Sequence, residues 1–270
     1  MSDRSDRREK PVTYAEIKGL WRRAYIKAPA ATPQIEDHDT QVYWFQADGL
    51  YADLRIPARF SAGLSIDCLA DLSHDELLAL GDAEGFAGSA SVVDGVCTWQ
   101  RAINLQGPER GRDIGRLERT RGGLFEYGVA ADFVELWLDQ SVGSPSPEGR
   151  VFTCGGGFWG FLITSPTRFL FAQDRPARKN LARPWKEALA QALNGDDRDQ
   201  LNDMFGTEYS FGRIENGVAV IGLSSHPNRV GAVLSENLGA PHHQIVTHHA
   251  RFDGEGLKRH WSVAELSGWS

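Results

Sequence analysis

The sequence predicts an all-β chain: two similar antiparallel β-barrels with a few short helices. Three observations carry that prediction. Dipeptides that favour tight hairpin turns recur as Asp48-Gly49, Asp94-Gly95, Gly122-Gly123 and Asn216-Gly217, with a looser turn over residues 253–256. Each lies between runs of strand-like alternation. Helical patterns are few and never alternate with strands in the rhythm of a parallel sheet. Residues 141–149 (SVGSPSPEG) lack any apolar period and divide two halves of like plan. Closing each sheet into a barrel removes the exposed edges that invite aggregation. The expected division is a tail over 1–12, a first barrel over 13–140, a linker over 141–149 and a second barrel over 150–270.

The elements follow in order. Thr13 and Glu16 have the spacing of a capping box and start a short helix reaching Leu20. Residues 20–26 (LWRRAYI) alternate as a strand, and 27–39 read as a loop rich in Pro, Ala and acids. Residues 42–57 (VYWFQADGLYADLRIP) form the central hairpin, with a type I′ turn expected at Asp48-Gly49. Ser73 and Glu76 form a second capping box. From Gly85 the pattern is β: strands over 89–93, 96–105, 113–120, 124–127 and 133–138. In the second half, strands over 151–154, 158–164 and 168–173 lead to a helix. Pro184 suits its first turn and Gly195 its C′ position, and a second short helix covers 197–205. Strands over 209–215, 218–223, 244–252 and 257–266 complete the chain.

Composition narrows the function. The 270 residues are 41% hydrophobic and 10% aromatic, enough for a substantial core. A formal net charge of −7 argues against nucleic acid or an anionic membrane as partner. The basic run over residues 4–10 lies among Ser and Asp and reads as a solvated tail. Three scattered cysteines, Cys68, Cys97 and Cys154, make neither a disulfide framework nor a zinc motif. The chain has no apolar targeting stretch and no run long enough to span a bilayer. A soluble, cytoplasmic protein is expected.

Candidate site residues come from strand parity. Leu50, Ala52, Leu54 and Ile56 share one wholly apolar face of the central strand, whereas Tyr51, Asp53 and Arg55 share the other. The mixture recurs: Trp99, Arg101 and Ile103 share a face, as do Leu124 and Glu126, and Phe133, Glu135 and Trp137. An aromatic face carrying single charges fits a cavity lining, where few polar groups orient an apolar ligand. The competing reading is structural, with cross-strand ion pairs shielded by aromatics. The expected lining is Trp44, Tyr51, Asp53, Arg55, Trp99, Arg101, Glu126, Glu135 and Trp137, with the face of Trp44 depending on the turn register.

Other motifs carry less. Gly155, Gly157 and Gly160 match a dinucleotide fingerprint, but the chain continues as a strand where that motif needs a helix. His242 and His248 share a strand face about 20 Å apart, too far for one ion. A metal would need help from His226 or His260, so none is expected, nor any other cofactor. Trp261 and Trp269 read as core or interface anchors.

The runs LWRRAYI, VYWFQADGLYADLRIP, GFAGSASV, CTWQRAINLQ, DIGRLE, FEYG and FVELW resemble a group of uncharacterised bacterial proteins allied to the fungal Hri1-type family. The resemblance covers residues 20–138. It implies two lipocalin-like, or calycin-like, barrels and carries no catalytic residues. The leading expectation is therefore a binding protein for a small, largely apolar or amphipathic molecule in the first barrel. A cofactor-independent lyase, hydratase or isomerase is the alternative, with Asp53 or Glu126 moving a proton and Arg55 or Arg101 stabilising negative charge. A partner-binding module is the third, and a second copy of the chain is left open as a partner.

Overall fold

A computed structural model describes residues 10–107, 113–175, 184–238 and 244–264. The first half opens with helix α1 (Tyr14–Ile17) and strands β1 (Gly19–Ala28), β2 (Ile35–Asp37), β3 (Gln41–Gln46) and β4 (Tyr51–Ile56). Helices α2 (Ala58–Ser61) and α3 (His74–Leu80) come next. Then follow β5 (Glu84–Val93), β6 (Val96–Asn104), β7 (Asp113–Thr120), β8 (Gly123–Gly128) and β9 (Val134–Asp139). The sheet runs β2-β1-β3-β4-β5-β6-β7-β8-β9, and β1 also pairs with β9, which closes the barrel.

The second half begins with β10 (Glu148–Cys154), β11 (Phe158–Thr164) and β12 (Arg168–Gln173), followed by helices α4 (Trp185–Asn194) and α5 (Arg198–Met204). It ends with β13 (Glu208–Glu215), β14 (Val218–Ser224), β15 (Val233–Ser235), β16 (Gln244–Ala250) and β17 (Gly256–Ala264). Its order is β15-β14-β13-β12-β11-β10-β17-β16, all antiparallel. Strands β15 and β16 meet side by side without a ladder among the described residues. The chain is thus all-β, with two antiparallel barrel-like sheets. No helix among the described residues is long and apolar enough to cross a membrane.

The two faces of β4 explain how the barrels meet. Ala52, Leu54 and Ile56 point out of the first barrel into a core that also holds Phe161, Ile163, Leu170 and Phe211 of the second. Tyr43 of β3 stacks on Phe211 with ring centroids 4.2 Å apart. Gly149 sits in this seam, where an added Cβ would lie 2.9 Å from Leu50 Cβ. Leu54 is fully buried there. Leu54→Ala is therefore expected to cost about 2–5 kcal/mol, the usual range for a buried leucine. Urea denaturation reads this directly, and a loss under ~1 kcal/mol would mean the seam is loosely packed.

The hairpin turns divide by dihedral angle. Asp94-Gly95 and Asn216-Gly217 have positive φ at both central residues (50° and 79°, 52° and 83°), as a type I′ turn requires. At Asp48-Gly49 only Gly49 does (φ 75°), so the expected type I′ turn does not form there. Tertiary contacts account for it. Gly49 N–H donates to Tyr14 Oη at 2.7 Å, and Gln46 Nε2 donates to the carbonyls of Ala47 (2.9 Å) and Leu50 (3.1 Å).

Several boundaries also move. Helix α1 stops at Ile17, and Gly19 and Leu20 belong to β1. The segment expected as a loop after β1 contains β2, and the stretch expected as linker already contains the start of β10. Lys10 to Val12, assigned to the tail, dock on the first barrel: Arg119 donates to the carbonyls of Lys10 and Pro11, and Val12 is buried. Gly195 caps α4 in a right-handed conformation, and Asp196 takes the left-handed one (φ 46°). Aspartate tolerates that region better than most residues. Residues 1–9, His242, His243 and Trp269 lie outside the described residues.

Candidate functional site

Strand alternation carries most of the predicted lining into the first barrel. Trp44 lies opposite Asp53, which puts it on the same face as Tyr51 and Asp53. Trp44, Tyr51, Phe86, Trp99 and Trp137 belong to one buried cluster. Ile103 does not join them. A bulge between β5 and β6 pairs Gly88 with Arg101 but Ala87 with Ile103. The extra residue flips parity and sends Ile103 into the seam with the second barrel.

The charges inside form a paired network. Arg55 Nε donates to Asp53 Oδ1 at 2.9 Å and its Nη1 lies 3.8 Å from Glu135 Oε1. Arg23, which parity reasoning did not single out, donates to Glu135 at 2.8 Å and to Asp37 at 2.7 Å. Arg101 donates to Asp113 at 2.5 Å and lies over the Phe86 ring at 3.5 Å. Glu126 sits opposite Glu135 and accepts the Trp137 indole N–H at 2.9 Å. Burial, and then the charge of Glu135, push the Glu126 carboxyl well above the usual range, so it is neutral. Burial also raises Glu135, while Arg55 and Arg23 pull the other way.

What remains open in this interior is small. Trp44 meets Trp21, Trp99 and Trp137 at centroid distances of 5.9, 5.4 and 5.6 Å. The residual cavity, lined by Tyr51, Asp53, Trp99 and Glu126 among others, measures about 20 Å³. Roughly one water fits such a volume. The buried Tyr51 hydroxyl has no hydrogen-bond partner in the protein.

Glu126 gives the interior a pH signature. Its folded-state pKa lies above the unfolded value, so ionisation is penalised in the folded barrel as pH rises through the ordinary glutamate range. Glu126→Gln removes that penalty. The variant is expected to match the wild type at pH 4 and exceed it at pH 8. The gap widens by about 1.4 kcal/mol per pH unit between the two pKa values. Urea midpoints across that range check this, and a gap that does not vary with pH means Glu126 stays ionised.

The second barrel has a larger opening at its mouth, a pocket of about 450 Å³. Phe158 starts β11, Gln173 ends β12, Glu208 starts β13, and Asn202 comes from α5. His249 of β16 and Arg259 of β17 line the other side. A second hollow of about 520 Å³ lies beside Pro145 and Ser165, but its charged side chains, Glu148 and Arg150, are not buried.

Under the mouth pocket lies a buried polar network. Glu208, His226, Thr247 and His249 are each 3% exposed or less. Trp261 Nε1–H donates to Thr247 Oγ1 at 2.7 Å, leaving the threonine hydrogen for His249 Nε2 at 2.5 Å. His249 therefore carries its proton on Nδ1 and donates it to Glu208 Oε2 at 2.7 Å. His226 Nε2–H donates to the Phe205 carbonyl at 3.0 Å, and its Nδ1 faces Ser225 Oγ at 3.3 Å.

Burial lowers the pKa of both histidines and keeps them neutral. Burial alone would raise Glu208, but Arg229, with Nε 3.4 Å from Oε1, and the His249 hydrogen bond outweigh it. Glu208 stays ionised, well below the usual range. Although the array resembles a carboxylate–histidine–hydroxyl triad, Thr247 is fully buried and already accepts a hydrogen bond, so it is not a nucleophile.

The histidines are visible in the sequence, where their spacing speaks against a metal and leaves exposed or ladder-paired side chains as the expectation. His248 is half-buried and His260 exposed. Among the described residues no three His, Cys, Asp or Glu side chains converge as a metal site requires. The missed signal is the alternation of Ile245, Thr247 and His249 on β16, facing the alternation of Glu208 and Ser210 on β13.

No protein-family model and no curated protein matches the chain. Among solved structures it is similar to the uncharacterised protein YLR301w from Saccharomyces cerevisiae. The TM-score is 0.52 at 14% identity, over 91% of this chain and 97% of that one. At that identity the likeness shows the fold alone, and it extends across both halves.

Proposed function

We propose that the chain is a small-molecule-binding protein of calycin-like build whose working pocket is the mouth of the second barrel. One observation carries this reading: the mouth measures about 450 Å³ over a buried, ionised Glu208–Arg229 pair, whereas the first interior measures about 20 Å³. The larger volume lies in the range of small-molecule sites. The proposed occupant is polar, in place of the largely apolar one expected from the first barrel. Binding is favoured over catalysis because each ring nitrogen of His226 and His249 is already engaged within the protein. Neither is left to take a substrate proton.

Thermal shift against a panel of water-soluble metabolites tests this. Leu257 lies opposite His249 in register and lines the pocket, so Leu257→Trp fills it. At least one compound is expected to raise the Tm of the wild type and of Tyr51→Phe, and to leave Leu257→Trp unmoved. Stabilisation that persists in Leu257→Trp and vanishes in Tyr51→Phe would instead place the ligand in the first barrel.

A further inference from the structure

The walls of the mouth pocket differ in kind. Phe169, Phe171 and Gln173 alternate along β12; the two phenylalanines lie in the second-barrel core, so Gln173 points inward at the mouth. Gln173 is 2% exposed. Its Nε2 donates to the Gly206 carbonyl at 3.1 Å, which fixes the amide orientation because a carbonyl accepts only a donor. Its Oε1 has no hydrogen-bond partner in the protein, and neither has Asn202 Oδ1. Buried acceptors without partners are uncommon and carry a desolvation cost. Asp199, Asn202 and Asp203 fall on one face of α5 at i, i+3 and i+4 and line the same pocket. This wall is made of acceptors.

The opposite wall is made of donors. Arg251 and Arg259 come from the β16–β17 hairpin. The Arg259 guanidinium lies 3.5 Å from the Phe158 ring, and its buried Nε has no hydrogen-bond partner. Arg251 pairs with Glu255 at 3.2 Å, half-exposed at the rim. A guanidinium held over an aromatic ring is suited to receive a carboxylate.

Resting on the pocket assignment above, we infer that the ligand is a small zwitterion. Its ammonium group is taken by the Gln173, Asn202 and α5 acceptor wall, and its carboxylate by Arg259. A purely apolar ligand leaves both walls unsatisfied. An anion without a donor is repelled by the carboxylates of α5, and a cation without a carboxylate adds nothing to the Cys154 thiol and the Glu208 charge that Arg259 already meets.

Calorimetry with matched five-carbon probes tests this: 5-aminopentanoate carries both charges, pentylamine only the cation and pentanoate only the anion. L-Lysine and L-arginine extend the series. At least one zwitterion is expected to bind tenfold or more tighter than either single-charge probe. Asn202→Ala and Gln173→Met are each expected to weaken that zwitterion and pentylamine by about tenfold, as for a lost charged hydrogen bond, while sparing pentanoate. Arg259→Met is expected to do the reverse. Asn202 is only half-buried, so its variant reads the effect should Gln173→Met fold poorly.

Equal affinity for the single-charge probes, or no binding by any zwitterion, overturns the inference. If another metabolite still stabilises the wild type but not Leu257→Trp, the pocket assignment stands and only the ligand class fails. If no compound does, both fail.

Discussion

Glu208→Leu is expected to destabilise the protein by about 3–5 kcal/mol, the usual cost of removing one partner from a buried ion pair. Arg229 is 8% exposed and would lose its counter-charge, and His249 Nδ1–H and Ser210 Oγ–H would lose their acceptor. The same network sets a pH limit. Both histidines have folded-state pKa values below the unfolded one, so the unfolded chain takes up protons first as pH falls through about 6.5. Each histidine then removes stability at about 1.4 kcal/mol per pH unit until its folded form also protonates. Glu208 adds a loss at lower pH, because its depressed carboxylate favours folding only above the ordinary glutamate range. Urea denaturation at pH 7.5 and 5.5 measures both effects. A Glu208→Leu loss below ~1 kcal/mol, or stability indifferent to acid, would contradict the assignment of a charged Glu208 beside neutral histidines.

Trp44→Ala is expected to cost about 3–5 kcal/mol and to open the first barrel. Trp44 is 1% exposed and touches three other tryptophans in the interior. Its neighbours belong to a closed barrel, so collapse into the void is restricted and a cavity remains. That cavity would be apolar on most sides and suited to a small aromatic such as indole, which is expected to restore part of the lost stability. Failure of indole to raise the Tm of Trp44→Ala would mean that the barrel collapses or admits water. The wild type is expected to show no response to indole, since only about 20 Å³ is open.

Much of the fold was legible in residues. Turn dipeptides located the hairpins, and the parity of residues 50–56 separated the seam from the interior, because a one-residue slip would have exchanged both faces. Short elements were not legible: β2 and β15 span three residues each, too few to show a period. The bulge that moved Ile103 is marked only on the opposite strand, by Gly88, where an added Cβ would lie 2.0 Å from the Gln100 carbonyl oxygen, and that glycine does not say which residue of β6 is the extra one. The convergence of Trp44, Tyr51, Asp53 and Glu126 on one interior followed from alternation, but the volume left among them did not. Parity says which side chains meet and nothing about how tightly they fill the space. The second-barrel network joins Glu208 to His249 and Arg229 across strands distant in sequence, where only the folded topology brings them together.

Location of the ligand is the point on which the account turns. Nitrogen-15 spectra of the indole and imidazole groups, titrated with the strongest thermal-shift hit, read it site by site. The account predicts that the resonances of His226, His249 and Trp261 move in step with saturation, while the indole signals of Trp44, Trp99 and Trp137 stay in place. Movement confined to those three first-barrel indoles, with the second-barrel histidines unchanged, would contradict it.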